Sequence, residues 1–468
     1  MSRRFLSIIG ILAAFTAVSC NKDDGGNGED TPKGPTAITV SPESLEVAQA
    51  GGSFNITVTA PSRPSLSGLP TWITSADGVY KDYKLTYELK VSVNESTDER
   101  SASITVSAGT LSKSVTVKQA GFVKPTLNVD ATLTNAQPSP EAVNVYDFLR
   151  ENAGVRVLSG IQSGDTANNN ERSEAVYALT GKHPALVGYD FIFLQYSPTP
   201  DSWSWKVDYG DISAAREQWQ KNGLVSYMWH WNVPTSEEAW EKGKTGDFEG
   251  YGFYSNQTNF DIVRALTTGT WENEFLLQDI EKVAGYLKLL KEEGIPVLWR
   301  PLHEAAGNYN VYGTNGAWFW WGRGGADACK RLWKLLRDKL EGEYGLDNLI
   351  WVWTLDVTRG AESEYASWYP GNDLVDIVGV DIYENDTEAK SRQYSAAVNL
   401  SGGHKLVTIS ECGNIPDPAK FLSAGQAWSW FLPWNLDASE YTYNTDDYWK
   451  QLMSSSLVYT RESMPSLK

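Results

Sequence analysis

Val297-Leu298-Trp299-Arg300-Pro301-Leu302-His303-Glu304 decides how this chain folds. It opens apolar, as a strand covered on both faces of a parallel sheet must be. It closes on Arg, His and Glu. Ionisable residues at the carboxyl end of such a strand mark a barrel that carries its chemistry at that end. Seven further apolar runs share the character: Val157–Ile161, Ala185–Phe191, Leu224–Trp231, Leu349–Leu355, Ile377–Tyr383, Leu406–Glu411 and Ala427–Trp434. Helical patterns such as Ile280–Glu293 and Ala326–Glu341 lie between them. The expectation for residues 125–468 is an α/β fold, a (β/α)8 TIM barrel with insertions. An open doubly wound sheet is the alternative, but no Gly-rich phosphate fingerprint follows the first run.

The barrel reading makes the strand ends a shortlist: Asp190, His230, His303, Glu304, Asp356, Asp381, Glu384 and Glu411. Retaining glycoside hydrolysis needs two carboxyls about 5–5.5 Å apart, one to protonate the leaving oxygen and one to attack the anomeric carbon. Glu304 ends run four, and Glu411 ends run seven within Ile409-Ser410-Glu411-Cys412-Gly413. Those two ends face each other across a barrel mouth. Asp381 and Glu384, on run six, are the competing nucleophiles. His303-Glu304 does not begin a zinc-protease helix, because position 307 is Gly where the second His belongs. Neither a metal nor another cofactor is expected.

Together with Trp318-Phe319-Trp320-Trp321-Gly322, the run from Val297 to Glu304 resembles glycoside hydrolase family 26, dominated by β-mannanases. His before the acid/base Glu, here His303, fits that family. The resemblance implies Glu304 as acid/base, Glu411 as nucleophile and Arg300 as the orienter of both carboxylates. It implies that Tyr383 hydrogen-bonds the nucleophile, Trp318 joins the sugar platform and Trp434 lines the subsite of the attacked sugar. It pairs His230 and Trp231 as substrate contacts. Trp320 and Trp321 are expected in the core. Apolar neighbours and a negative partner should raise the Glu304 pKa, while Arg300 and Tyr383 should keep Glu411 charged.

The chain departs from the family pattern in three places. A loop from Ala305 to Ala317 carries Tyr309 and Tyr312, a long insertion covers Thr235–Asn273, and Asn435 stands where some relatives have a substrate-binding Arg. No residue is therefore assigned to the distal glycone subsite. The implied activity is a retaining β-mannosidic polysaccharide hydrolase of the mannan endo-1,4-β-mannosidase type. Alternatives are a β-1,3-xylanase, a mixed-linkage β-glucanase, an exo-acting mannobiohydrolase, or a non-catalytic surface glycan-binding lipoprotein.

Residues 37–121 differ in character. Alternating β-branched segments separated by Gly-Gly, Pro and Asn-rich turns predict a small Ig-like β-sandwich. Ile38-Thr39-Val40-Ser41-Pro42, Trp72, Asn94, Arg100 and Gln119-Ala120-Gly121 resemble a BACON domain. It is read as a spacer, with Trp72 in its core; a glycan-binding module is the alternative. Residues 20–36 read as a flexible tether. Residues 1–19 read as a lipoprotein signal peptide: Arg3 and Arg4, the apolar Leu6–Phe15, then a resemblance to a lipobox ending at Cys20. The implied location is the cell surface, as an outer-membrane lipoprotein held to the membrane only through a lipid on Cys20.

Net charge is -18 across 468 residues, with no Lys/Arg cluster, so no nucleic-acid partner is expected. Twenty Trp residues suit both a barrel core and sugar platforms. Cys329 and Cys412 are read as buried, unpaired thiols. The expected partner is a β-mannan-type polysaccharide or oligosaccharide, bound by a monomer.

Overall fold

The computed structural model describes residues 34–48, 51–92, 94, 96, 98–121, 127–164, 167–199, 206–307, 317–356, 366–436 and 439–468. The signal peptide, Cys20, most of the tether, Tyr309 and Tyr312 lie outside the described residues. The chain divides into two compact units.

The amino-terminal module is built from two four-stranded sheets. One is ordered Thr39–Ser41, Gly52–Thr59, Lys84–Val91, Ile73–Asp77, and the other Ser44–Val47, Leu111–Gln119, Arg100–Ala108, Ser65–Ser67. Period-two alternation decides which side chains point inward: Leu85, Tyr87, Leu89 and Val91 are buried while their neighbours face out. Trp72 is half-buried on the turn before Ile73–Asp77, rather than enclosed in the core. Arg100 donates to Gln119 Oε1 at 2.8 Å and to the Ser92 carbonyl at 2.9 Å. Asn94 donates to the Ala120 carbonyl at 3.1 Å. The polar residues that carry the BACON resemblance thus secure strand ends.

The larger unit is a closed barrel of eight parallel strands: Val157–Gln162, Leu186–Asp190, Leu224–Met228, Val297–Arg300, Leu349–Asp356, Ile377–Ile382, Leu406–Cys412 and Trp428–Pro433. Closure comes from strand eight pairing with strand one, Trp430 opposite Leu158. A short ninth segment, Val458–Tyr459, adds to strand one. Strands one, six, seven and eight are buried throughout, which explains their unbroken apolar composition.

The ladder is shorter than the apolar runs at two places that matter. Strand three stops at Met228 and strand four at Arg300, not at Trp231 and Glu304. Pro301 has no N–H to continue a ladder. The residues after both ladders are therefore free to adopt turn geometry at the barrel mouth.

The helix before strand four runs from Trp271 to Glu292. It starts nine residues before the expected Ile280 because Thr270 caps it, accepting from the Asn273 N–H at 3.2 Å, and because Glu272 and Glu274 occupy its first turn. No helix among the described residues is long and apolar enough to cross a membrane.

Candidate active site

A bulge aims Glu411. Strands six and seven pair Val380 with Ile409, then Asp381 with Glu411, so Ser410 is an extra residue in strand seven. Such a bulge re-aims the next side chain. Ser410 Oγ meets Asp381 Oδ1 at 2.7 Å, which keeps the extra hydroxyl satisfied. Glu411 then accepts from the Arg300 guanidinium at Oε1 and from the Tyr383 hydroxyl, 2.7 Å away, at Oε2. Arg300 also reaches Asp381 Oδ2 at 3.0 Å and Met228 Sδ at 3.0 Å. It is 3% exposed, so the guanidinium bridges two carboxylates out of water. Tyr383 extends to the surface, half-exposed, and its phenol is pushed well above the usual range by burial of the hydroxyl and the adjoining Glu411.

A strained turn aims Glu304. Leu302 has φ of 52° and Glu304 of 50°, the left-handed region that non-glycine residues avoid. Strain of this kind costs of order 1–3 kcal/mol and persists where surroundings over-determine it. Here the Gly307 N–H closes onto the Glu304 carbonyl at 2.8 Å, and Trp321 Nε1 donates to the His303 carbonyl at 2.9 Å. Gly322 completes the clamp: a Cβ there would lie 2.0 Å from the Ala305 carbonyl oxygen. The Trp-Phe-Trp-Trp-Gly stretch therefore holds the turn, with Trp320 and Trp321 fully buried.

One carboxylate oxygen each of Glu304, Asp381 and Glu411 lies within 4.8 Å of the others. Arg300 supplies a fixed positive charge beside two of them. Two of the three acids thus share one guanidinium.

His230 and His303 meet with ring centroids 4.5 Å apart. Asp190, at the end of strand two, takes the His230 backbone N–H at 2.9 Å and its Nδ1 at 2.5 Å. Burial holds the His303 pKa well below 6.5, reinforced by His230 and Arg300, so His303 is neutral. Trp434, half-buried just past strand eight, packs 5.8 Å from His230.

Trp231 departs from its expected place. It is fully buried, stacked on Trp229 at 3.8 Å, with Nε1 bonded to Asp279 at 2.7 Å. Its indole presents no face to the cleft, because the apolar run continues inward past the ladder. Asp279 also accepts from Gln195 at 2.5 Å, and burial raises its pKa to about 7. Nothing in its helical position marks that role in the sequence.

The insertion after strand three folds onto the loop after strand four. Val233–Pro234 pairs with Tyr251–Gly252, and Tyr254 bridges to Phe319. The Ser255 N–H reaches the Trp318 carbonyl at 2.9 Å, and the Trp320 N–H reaches that of Phe253 at 3.1 Å. Phe253 lies 4.9 Å from His230, and the half-buried Trp318 lies 6.0 Å from the exposed Tyr254. Phe253 and Tyr254 escaped the sequence reading, since only the pairing brings them here. Glu384 is turned away, held by Lys390 at 3.0 Å and Gln393 at 2.6 Å. The Asp356 side chain lies outside the described residues. Cys329 and Cys412 are free and buried, as expected.

The family model for glycosyl hydrolase family 26 matches residues 134–463, and the BACON model, which describes a candidate N-terminal binding domain, matches residues 67–120. Mannan endo-1,4-β-mannosidase A of Piromyces sp is 35% identical over 346 residues, which is 72% of this chain and 51% of that protein. The Thermothelomyces thermophilus mannan endo-1,4-β-mannosidase is 33% identical over 352 residues, 73% of this chain and 65% of its own length. This chain therefore spans about half to two-thirds of those curated relatives. A β-mannanase from a symbiotic protist of the termite Reticulitermes speratus, solved with a gluco-manno-oligosaccharide, is 34% identical with a TM-score of 0.61, covering 73% of this chain and 99% of that one. The family 26 domain of a Prevotella bryantii endo-β-mannanase/endo-β-glucanase is 35% identical with a TM-score of 0.64, covering 72% and 99%. On the extent of the family match alone, the chain belongs to glycosyl hydrolase family 26.

Proposed function

We propose that this protein hydrolyses β-1,4-mannan by double displacement, with Glu411 as nucleophile and Glu304 as acid/base. The observation that carries the reading is the carboxylate pair itself: oxygens within 4.8 Å, one of the two acids held by Arg300 and Tyr383. That spacing suits a retaining rather than an inverting enzyme. The mannan assignment is supported by the names of the relatives.

In the first step Glu304 gives its proton to the glycosidic oxygen as Glu411 bonds to the anomeric carbon. The sugar–oxygen bond breaks and the leaving chain departs. In the second step Glu304, now a carboxylate, takes a proton from water, and that oxygen displaces Glu411 from the sugar. Arg300 and Tyr383 donate to the two Glu411 oxygens and so orient the carboxylate. A neutral His303 adds no cation beside Glu304, which favours the protonated acid. In this reading Trp318 and Trp434 pack against sugar faces, and His230, held at Nδ1 by Asp190, contacts a sugar hydroxyl.

Reducing-sugar release from galactomannan, glucomannan, xylan and lichenan tests this. Release from the mannans first is expected; activity on xylan or lichenan alone would replace the substrate, and none on any would remove the enzyme reading. Our reading also includes a lipid anchor on Cys20 and a cell-surface location, supported by the Arg3–Cys20 pattern. Replacing Cys20 by Ala should release the protein from membranes on fractionation; unchanged retention would contradict the anchor.

A further inference from the structure

The glycine that closes Ser410-Glu411-Cys412-Gly413 has a steric reason. A Cβ on Gly413 would lie 2.8 Å from two ring carbons of Tyr441 and 3.3 Å from a ring carbon of Tyr383. The absence of a side chain therefore seats two tyrosines at one spot, two residues after Glu411. Their rings are tilted by 49° with centroids 6.3 Å apart. Tyr441 comes from the segment after strand eight, far from Tyr383 in sequence.

That segment is fastened to the same place. Asn444, 1% exposed, donates to the Gly413 carbonyl at 2.8 Å and accepts from the Ile415 N–H at 2.9 Å. The Tyr443 N–H donates to Asn414 Oδ1 at 3.0 Å. The Asn444 N–H returns to the Tyr441 carbonyl at 2.9 Å. Tyr383, by contrast, is 41% exposed. A half-exposed side chain is held largely by what packs on it, and the ring of Tyr441 is such a neighbour of Tyr383.

We infer that Tyr441 is a positioning residue, whose ring, seated on Gly413, keeps the Tyr383 hydroxyl on the nucleophile Glu411. The inference rests on the proposed retaining mechanism and adds a part to it. A Tyr383 that swung away would leave Glu411 with Arg300 alone as donor. Loss of a donor to a carboxylate favours its protonated form. The free enzyme's acid limb would then move to higher pH. The groups facing Glu411 are Arg300 at the end of strand four and Glu304 on the turn beyond it, Asp381 in strand six and Tyr383 just past it, Cys412 on its own strand and Tyr441. Of these, Tyr441 alone would act through another side chain.

The test is a double-mutant cycle on the full chain, with a soluble mannan as substrate. Tyr441→Ala and Tyr441→Phe are made in the wild type and in Tyr383→Phe, and each is profiled against pH. Tyr441→Ala should lower kcat roughly tenfold, as expected for a lost aromatic contact acting in the transition state, with little change in KM. Its acid limb should move to higher pH. Tyr441→Phe keeps the ring and should recover most of the loss. With Tyr383 already Phe, Tyr441→Ala should cost little more, because contacting residues that act through one another are non-additive. Equal losses in both backgrounds overturn the inference. So does a raised KM with an unmoved acid limb, which would make Tyr441 a substrate contact. If Tyr441→Ala does not fold, Tyr441→Leu replaces it in the same cycle. An inactive wild type would sink the proposed function instead, which keeps the two failures apart.

Discussion

The two glutamates stand on opposite sides of one cleft, and the chain holds them by different means. Glu411 sits on a regular strand, re-aimed by one extra residue and fixed by polar donors, Arg300 and Tyr383. Glu304 sits on a backbone forced into the left-handed region and clamped by the Trp321 indole N–H on the His303 carbonyl and by the close seat of Gly322. The difference fits the roles proposed for them, Glu411 as nucleophile and Glu304 as proton donor. A nucleophile must be ionised, so charge and hydrogen bonds surround it. A proton donor must keep its proton, so it is held by shape, with a neutral His303 beside it.

The comparison breaks most visibly if both glutamates are removed in turn. Glu411→Ala and Glu304→Ala should each lower kcat by several orders of magnitude on mannan. Azide should restore turnover in Glu411→Ala with inverted product; recovery of that kind in Glu304→Ala would exchange the two roles. Next, Arg300→Lys should lower kcat by about a hundredfold, because a point ammonium cannot span Asp381 and Glu411 as the planar fork does. Steady-state kinetics beside a thermal melt will separate that loss from unfolding.

The shape-based side is probed by Gly322→Ala. The added methyl meets the Ala305 carbonyl, and the overpacking should cost about 1–3 kcal/mol in chemical denaturation. Activity should fall along with stability, because the displaced carbonyl directly follows Glu304. A stable variant with unchanged kcat would show that the clamp is not what aims the acid.

The smallest effect concerns the scaffold behind that side, where Trp320 donates to the Trp231 carbonyl and Trp231 to Asp279. The unfolded chain loses the Asp279 proton near the ordinary 3.8, the folded one near about 7. Stability from this group is thus present at low pH and declines as pH rises across that window. Asp279→Asn should flatten the decline, so thermal melts at pH 4 and pH 7.5 should differ less than in the wild type.

Much of this was legible beforehand. The eight strands announced themselves because burial on both faces demands unbroken apolar runs, and Glu304 and Glu411 stand out as charges ending two of them. The strand limit at Arg300 was hidden because the motif runs on through Leu302 to Glu304, and the one at Met228 because Trp229 and Trp231 extend the apolar signal beyond the ladder. For the same reason Trp231 read as a cleft residue although it faces inward. Trp72 read as core, yet its place on a turn leaves it half-covered. The Ser410 bulge, the Tyr254–Phe319 bridge and Tyr441 are products of pairing between distant segments, and no local pattern encodes them.

Cys412 follows Glu411, the proposed nucleophile, directly, yet it is wholly enclosed, and burial beside Glu411 pushes its thiol far above the ordinary range. In the native state it should ignore alkylating reagents and oxidants, since the reacting thiolate is not formed. Any labelling must pass through an opening of strand seven. Its rate, compared with that of Cys329 on the helix Ala326–Arg337, therefore works as a built-in gauge of how often the catalytic strand loosens while the rest of the barrel stays closed.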